Sequence, residues 1–190
     1  MRMRQIFHDS PIPMQTPIKI LALSGSLRQA SINTALLRAA AQIAPAELAI
    51  KLCDLIGDLP LFNPDLEANL PNIVQDFRAQ VSSVNALLIA SPEYAHGVSG
   101  VLKNALDWLV SLPAFVNKPV VLWNSAPRAH HADDALREIL RTMSADLIEP
   151  ASVTLPWVGH SVNGQEISLV PEIREAISAS LRDVIEALKT

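Results

Sequence analysis

Hydrophobic positions in this chain fall into two alternating kinds of run. Short blocks are apolar at nearly every position: Ile18 to Leu23, Leu48 to Cys53, Ala86 to Ala90 and Pro119 to Trp123. Such blocks suit parallel strands, which are covered on both faces and show no polar side. Between them, apolar residues recur every three or four positions, as on one face of a helix. Ile32, Ala35, Leu36, Ala39, Ala40 and Ile43 form the first stripe, with Ser31 placed to cap its N-terminus. Ile73, Val74, Phe77 and Val81 form the second, and Val101, Leu102, Ala105, Leu106 and Leu109 the third. The fourth helix is expected to begin near Asp133 and Asp134, whose charges suit a helix start, and to bury Leu136, Ile139, Leu140 and Met143. The last opens at Pro171 and carries the cleanest period, Ile173, Ala176, Ile177, Leu181, Val184, Ile185 and Leu188. A short fifth strand is expected near Ala151 to Leu155, and Ala86 to Ala90, the most apolar block, at the sheet centre. Five strands alternating with five helices predict an α/β fold with a parallel, doubly wound sheet.

In such sheets ligands sit beyond the carboxyl ends of the strands. Three loops end there: Ser24 to Asn33, Pro92 to Gly100 and Asn124 to His131. The first holds Ser24, Gly25, Ser26, Leu27, Arg28, Ser31, Ile32 and Asn33 between a strand and a helix. Hydroxyls, one arginine and an open helix end make an anion site. The helix end carries about half a positive charge, Arg28 adds one, and a phosphate monoester carries roughly −1.5 to −2. Serine and glycine in such a place are also ordinary turn residues. The segment Asp54 to Pro71, broken by Gly57, Pro60, Asn63 and Pro64, is a second long loop of the kind that often serves function.

Composition narrows the classes. A length of 190 residues, 49% of them hydrophobic and 18% charged, suits one domain with a full core. Residues 1–17, with Pro11, Pro13 and Pro17 and no periodicity, read as an extended arm outside a domain spanning 18–190. A net charge of −4 argues against a nucleic-acid surface. Cys53 stands alone, which excludes an intrachain disulfide, and an inert buried thiol is expected. No apolar run reaches membrane-spanning length and none follows Met1 to Arg4 as in a signal peptide, so a soluble, cytoplasmic chain without membrane contact is expected.

Longer motifs add a resemblance. Gly25-Ser26-Leu27-Arg28-Gln29-Ala30-Ser31-Ile32-Asn33 resembles the GSLRxxSxN phosphate loop of the NAD(P)H-dependent FMN reductases, flavodoxin-like quinone, azo and chromate reductases. Pro92-Glu93-Tyr94 followed by Gly100-Val101-Leu102-Lys103-Asn104-Ala105-Leu106-Asp107-Trp108 resembles their PEYNxxxPGxLKNAxDW signature, and Leu59 to Glu67 a further family loop. The resemblance implies a three-layer flavodoxin-like sandwich that holds FMN. It implies that the phosphate lies among Ser24, Gly25, Ser26, Leu27, Arg28, Ser31, Ile32 and Asn33, and the ring against Pro92, Glu93, Tyr94 and Ala95, with Ser125 contributed by the third loop. It further implies NAD(P)H as cosubstrate, hydride passing through flavin N5 to a quinone, azo, flavin or metal-oxyanion acceptor, and a homodimer or homotetramer. No protein group is expected to be catalytic, because the flavin carries the chemistry. Two departures stand out. Ala95 and Ser99 replace the family's asparagine and second proline, and the third loop, usually glycine-rich, here reads Ser125-Ala126-Pro127-Arg128-Ala129-His130-His131. A flavodoxin-like electron carrier shares the fold, but the LKNAxDW stretch resembles the reductases.

Other residues take plainer readings. Lys103 and Asp107, four apart, suit a structural ion pair. His130, His131, Asp133 and Asp134 read as a polar helix start rather than a metal site, and His96 as an exposed loop residue. No G-x-S-x-G hydrolase elbow is present.

Overall fold

In the computed structural model, which describes residues 16–127, 130–155 and 167–189, five parallel strand positions form one twisted layer. The strands are β1 (Ile18–Ser24), β2 (Leu48–Leu52), β3 (Ala86–Ala90), the short pair β4 (Glu93–Tyr94) and β5 (Gly97–Val98), β6 (Pro119–Asn124), β7 (Asp146–Leu147) and β8 (Val153–Thr154). The helices are α1 (Ile32–Ile43), α2 (Asn72–Ser82), α3 (Gly100–Asp107), α4 (His130–Thr142) and α5 (Pro171–Lys189). The sheet runs β2-β1-β3-β6-β7, with β8 also on β6, which is the flavodoxin-like order. As expected, β3 is central and all its residues are buried. Most of the N-terminal arm and the stretch containing Gly159 and Gly164 lie outside the described residues.

Alternation across the pleat sends side chains into two cores. Ile20, Ala22, Leu88 and Val121 pack with α1 and α5 through Leu36, Ala40, Ile177 and Leu181. Leu21, Leu23, Leu87 and Ile89 pack on the other face with α2, α3 and α4 through Phe77, Leu106, Leu136 and Leu140. The chain winds to opposite sides after β1 and β3, so the switch point falls between those strands.

Two expectations need correction. The fifth strand is not one segment near 151–155. It is two dipeptides: β7 beside Pro119 and Val120, and β8 beside Trp123 and Asn124. A 3-10 turn, Glu149–Ala151, separates them. Pro150 lies in that turn and has no N–H for a ladder rung. Ser152 bridges the gap: Leu122 N–H donates to its Oγ at 3.0 Å, and that hydroxyl donates to Ile148 O at 2.9 Å. Secondly, α4 begins at His130, before Asp133. Its early amide at Ala132 donates to Glu93 Oε2 at 2.8 Å, so a distant carboxylate caps the helix. Asp133 instead holds Arg137 at 2.7 Å.

Candidate cofactor site

The loop after β1 is shaped by its own residues. Ser31 caps α1, its Oγ accepting Thr34 N–H at 3.3 Å. Ser24 Oγ shares a 2.7 Å bond with Thr34 Oγ1 and accepts Ser26 N–H at 3.3 Å. Ser26, buried, takes Arg28 N–H on its Oγ at 3.4 Å. Gly25 continues the sheet through its N–H to Ala90 O, and this close approach leaves no space for a side chain. A Cβ there would lie 2.2 Å from Ser91 Oγ and 2.7 Å from Ser91 Cβ. Leu27 and Arg28 then project from the loop as exposed side chains, and Arg28 makes no ion pair among the described residues.

The loop after β3 is a hairpin that the sequence did not announce. Glu93 pairs with Val98 and Tyr94 with Gly97, so only Ala95 and His96 make the turn. Both have positive φ, 48° and 58°, as a primed two-residue turn requires. Asn-Gly is the usual choice there, and left-handed backbone costs other L-residues about 1–2 kcal/mol each. Contacts from outside offset that strain. Glu93 Oε2 accepts from Ala132 N, and the His96 ring stacks on His131 at 4.3 Å, with His130 at 4.1 Å on His131.

Between these loops, at the switch point, an open cleft of about 430 Å³ lies against Gly25, Leu27 and Arg28 on one side and Tyr94, Ser99 and Val101 on the other. Its size is that of a cofactor site. Of the residues expected at the site, Gly25, Leu27, Arg28 and Tyr94 line this cleft. Ser31 and Asn33 are buried behind it, and Asn33 Oδ1 accepts from Ser125 Oγ at 2.9 Å, which ties the first loop to the third. Ile32, Pro92 and Glu93 are half-buried, and the Glu93 carboxylate faces α4. Ala95 is exposed at the turn. Arg128 and Ala129 of the third loop lie outside the described residues.

The donor set fits FMN. Ile32 and Asn33 open α1, where backbone N–H groups have no intrahelical carbonyl, and Arg28, without an ion pair among the described residues, suits a phosphate. The Gly25 cradle brings the loop backbone against β3.

Sequence reading missed Thr34 and gave no role to Ser99, Asn104 or Trp108. Ser99, buried, caps α3 through Leu102 N–H at 3.4 Å, so the residue in place of the family's second proline acts as a cap. Asn104 Oδ1 accepts Phe62 N–H at 2.8 Å, and Asn104 Nδ2 and Trp108 Nε1 both donate to Pro60 O, at 3.0 and 2.8 Å. The quoted LKNAxDW stretch was the available signal, and its asparagine and tryptophan pin the 54–71 segment. The same segment is held by Glu67, whose carboxyl is kept below its ordinary range by hydrogen bonds from Ser111 and Arg78. Lys103 and Asp107 form the expected pair at 2.6 Å. Cys53 is half-buried, and burial pushes its thiol above the ordinary value, against backbone hydrogen bonds at Leu55 and Ile56.

Comparison with known proteins agrees with this geometry. The family model for NADPH-dependent FMN reductase matches residues 18–157. An NAD(P)H-dependent FMN reductase of Pseudomonas aeruginosa is 36% identical over 175 residues, covering 89% of this chain and 94% of that protein. An NADPH:quinone oxidoreductase of Arabidopsis thaliana is 43% identical over 117 residues, which cover 59% of this chain and 56% of the plant protein. Among solved structures, FerB, a flavoenzyme NAD(P)H:(acceptor) oxidoreductase from Paracoccus denitrificans, superposes with a TM-score of 0.69 at 23% identity, covering 89% of this chain and 98% of that one. Among the described residues no helix is long and apolar enough to cross a membrane.

Proposed function

Since the chain belongs to the NADPH-dependent FMN reductase family, we propose that its switch-point cleft holds FMN and passes reducing equivalents from NAD(P)H to a small acceptor of the quinone kind. The observation that carries this reading is the cleft itself, walled by a strand–loop–helix anion site and by the Glu93–Val98 hairpin. Arg28 and the first amides of α1 bind the phosphate. Ser24, Ser26 and Ser31 shape the loop that presents them, and Asn33 with Ser125 braces it from behind. Tyr94, with the backbone of Pro92, Glu93 and Ala95, orients the ring. FMN, when bound there, would supply the two-electron redox chemistry between nicotinamide and acceptor. The protein contributes binding, orientation and proximity, and proximity alone is worth roughly 7–11 kcal/mol when the partners are held in line. One open face used by two substrates in turn gives ping-pong kinetics.

A quinone acceptor is supported by the named activity of the plant relative. One domain from residue 18 onward, a cytoplasmic location and a homodimer or homotetramer complete the proposal. Self-association is supported by Leu61, Val110 and Val116, large apolar side chains that stand exposed. The test is NADPH oxidation by the FMN-loaded full chain with a simple benzoquinone. Initial rates should give parallel double-reciprocal lines as the quinone is varied. Absence of turnover with both NADH and NADPH would sink the reading.

A further inference from the structure

We infer that His131, which does not line the cleft, is a positioning residue for the cofactor site. It acts by stacking on His96 and so holding the hairpin that carries Tyr94. The inference rests on the proposed flavin site.

The β4 and β5 arms are two residues each, too short to hold a hairpin by pairing alone. Its turn places Ala95 and His96 in left-handed backbone, with neither asparagine nor glycine to ease it. Such turns persist only where their surroundings over-determine them. Here two contacts reach in from α4: Ala132 N–H donates to Glu93 Oε2 at the base of the hairpin, and the His131 ring stacks on His96 at its tip, inclined by 26°. His130 packs on the far partner of this pair, its ring 4.1 Å from that of His131. Base and tip are thus fastened to adjacent residues of one helix turn. Tyr94, half-exposed at the cleft, lies between the two fastenings.

Ala95, one departure from the family pattern, sits in the turn whose other residue, His96, stacks on His131 of the glycine-free third loop, the second departure. A glycine-rich loop has no ring to offer a hairpin tip. Helix α4 therefore belongs to the flavin site as its clamp, although no residue of α4 touches the cleft.

The clamp governs the ring end of the cofactor, whereas the first loop governs the phosphate. The experiment uses that division: titrations of the full chain with FMN and with riboflavin, followed by flavin fluorescence. An aromatic pair contributes enough for roughly a three- to tenfold change in affinity. His131→Ala is expected to weaken FMN and riboflavin by the same factor within that range, and His131→Phe, which keeps a stacking face, to restore both. From the hairpin side, His96→Phe should bind like the parent. His96→Gly should bind weakly even though glycine suits the turn better. This second pair stands if His131→Ala fails to fold. Parent-like affinity in His131→Ala or in His96→Gly overturns the proposal, as does a loss seen with FMN alone. If the parent itself binds neither flavin, the cofactor reading fails, and that outcome is distinct from failure of the clamp in a parent that binds both.

Discussion

The two walls of the cleft reach their shapes by opposite routes. The wall from Ser24 to Thr34 is built by near neighbours: Ser24, Ser26, Ser31 and Thr34 bond to one another across ten residues or fewer. The wall from Glu93 to Val98 is held from afar, by an amide 39 positions away and by the ring of His131. The first wall uses glycine where the backbone must pass close to β3. The second has alanine and histidine where glycine or asparagine would be easier. A locally determined wall stays in shape by its own hydrogen bonds. A remotely determined wall takes its shape from whatever element grips it, and can change when that element changes.

Substitutions can break this contrast. The largest effect on stability is expected from Gly25→Ala, which puts a methyl group against Ser91 Cβ at 2.7 Å and Ser91 Cα at 3.0 Å. Overpacking of this kind costs about 1–3 kcal/mol, at roughly 2–4 °C of melting temperature per kcal/mol for a domain of this size. Thermal unfolding and FMN titration should both show the loss. A variant that melts and binds as the parent does would mean that the first wall is not close-packed on β3. Arg28→Ala comes next. Removing a charge-assisted partner costs about 1.5–3 kcal/mol, or roughly ten- to a hundredfold in FMN affinity. Riboflavin should bind parent and variant equally, so paired titrations locate the effect at the phosphate. Ser31→Ala should cost about 1 kcal/mol of stability through loss of the cap on Thr34 N–H, read as a shifted denaturant midpoint. The smallest effect runs the other way. Ala95→Gly relieves left-handed backbone and is expected to raise stability by up to about 1 kcal/mol, because the relief exceeds the added entropy of the unfolded chain. A lower melting temperature would show that the turn at 95–96 carries no strain.

The same contrast decides what could be read from the sequence. Strand blocks and helical stripes placed β1, β3, β6, α1 and α5 well, because burial on two faces and on one stripe leave different periods. The first loop was legible because its determinants are contiguous: a strand end, a close-packed glycine and a capping serine. The start of α4 was misplaced because its cap, Glu93, belongs to another element. The hairpin was hidden for the same reason, since Ala-His carries no turn signal and its partner His131 is remote. The broken fifth strand could have been suspected from Pro150 alone, but Ser152 as the missing rung could not. Arg28, Tyr94, Gly25 and Leu27 were placed at the cleft by motif. Ser31, Asn33 and Ser125 turned out to brace it from within.

Asn104 and Trp108 spend their polar atoms on one short stretch of loop: both donate to the carbonyl of Pro60, and Asn104 also takes the amide of Phe62. Without those side chains, residues 59–63 would keep only the apolar contacts of Leu59 and Phe62 with the core. With them, the loop and α3 form a single unit of local unfolding. The Phe62 amide belongs to no helix or strand, yet its hydrogen is expected to exchange as slowly as the amides of α3. Leu61, exposed to solvent, lies between two peptides whose polar groups are bonded to α3.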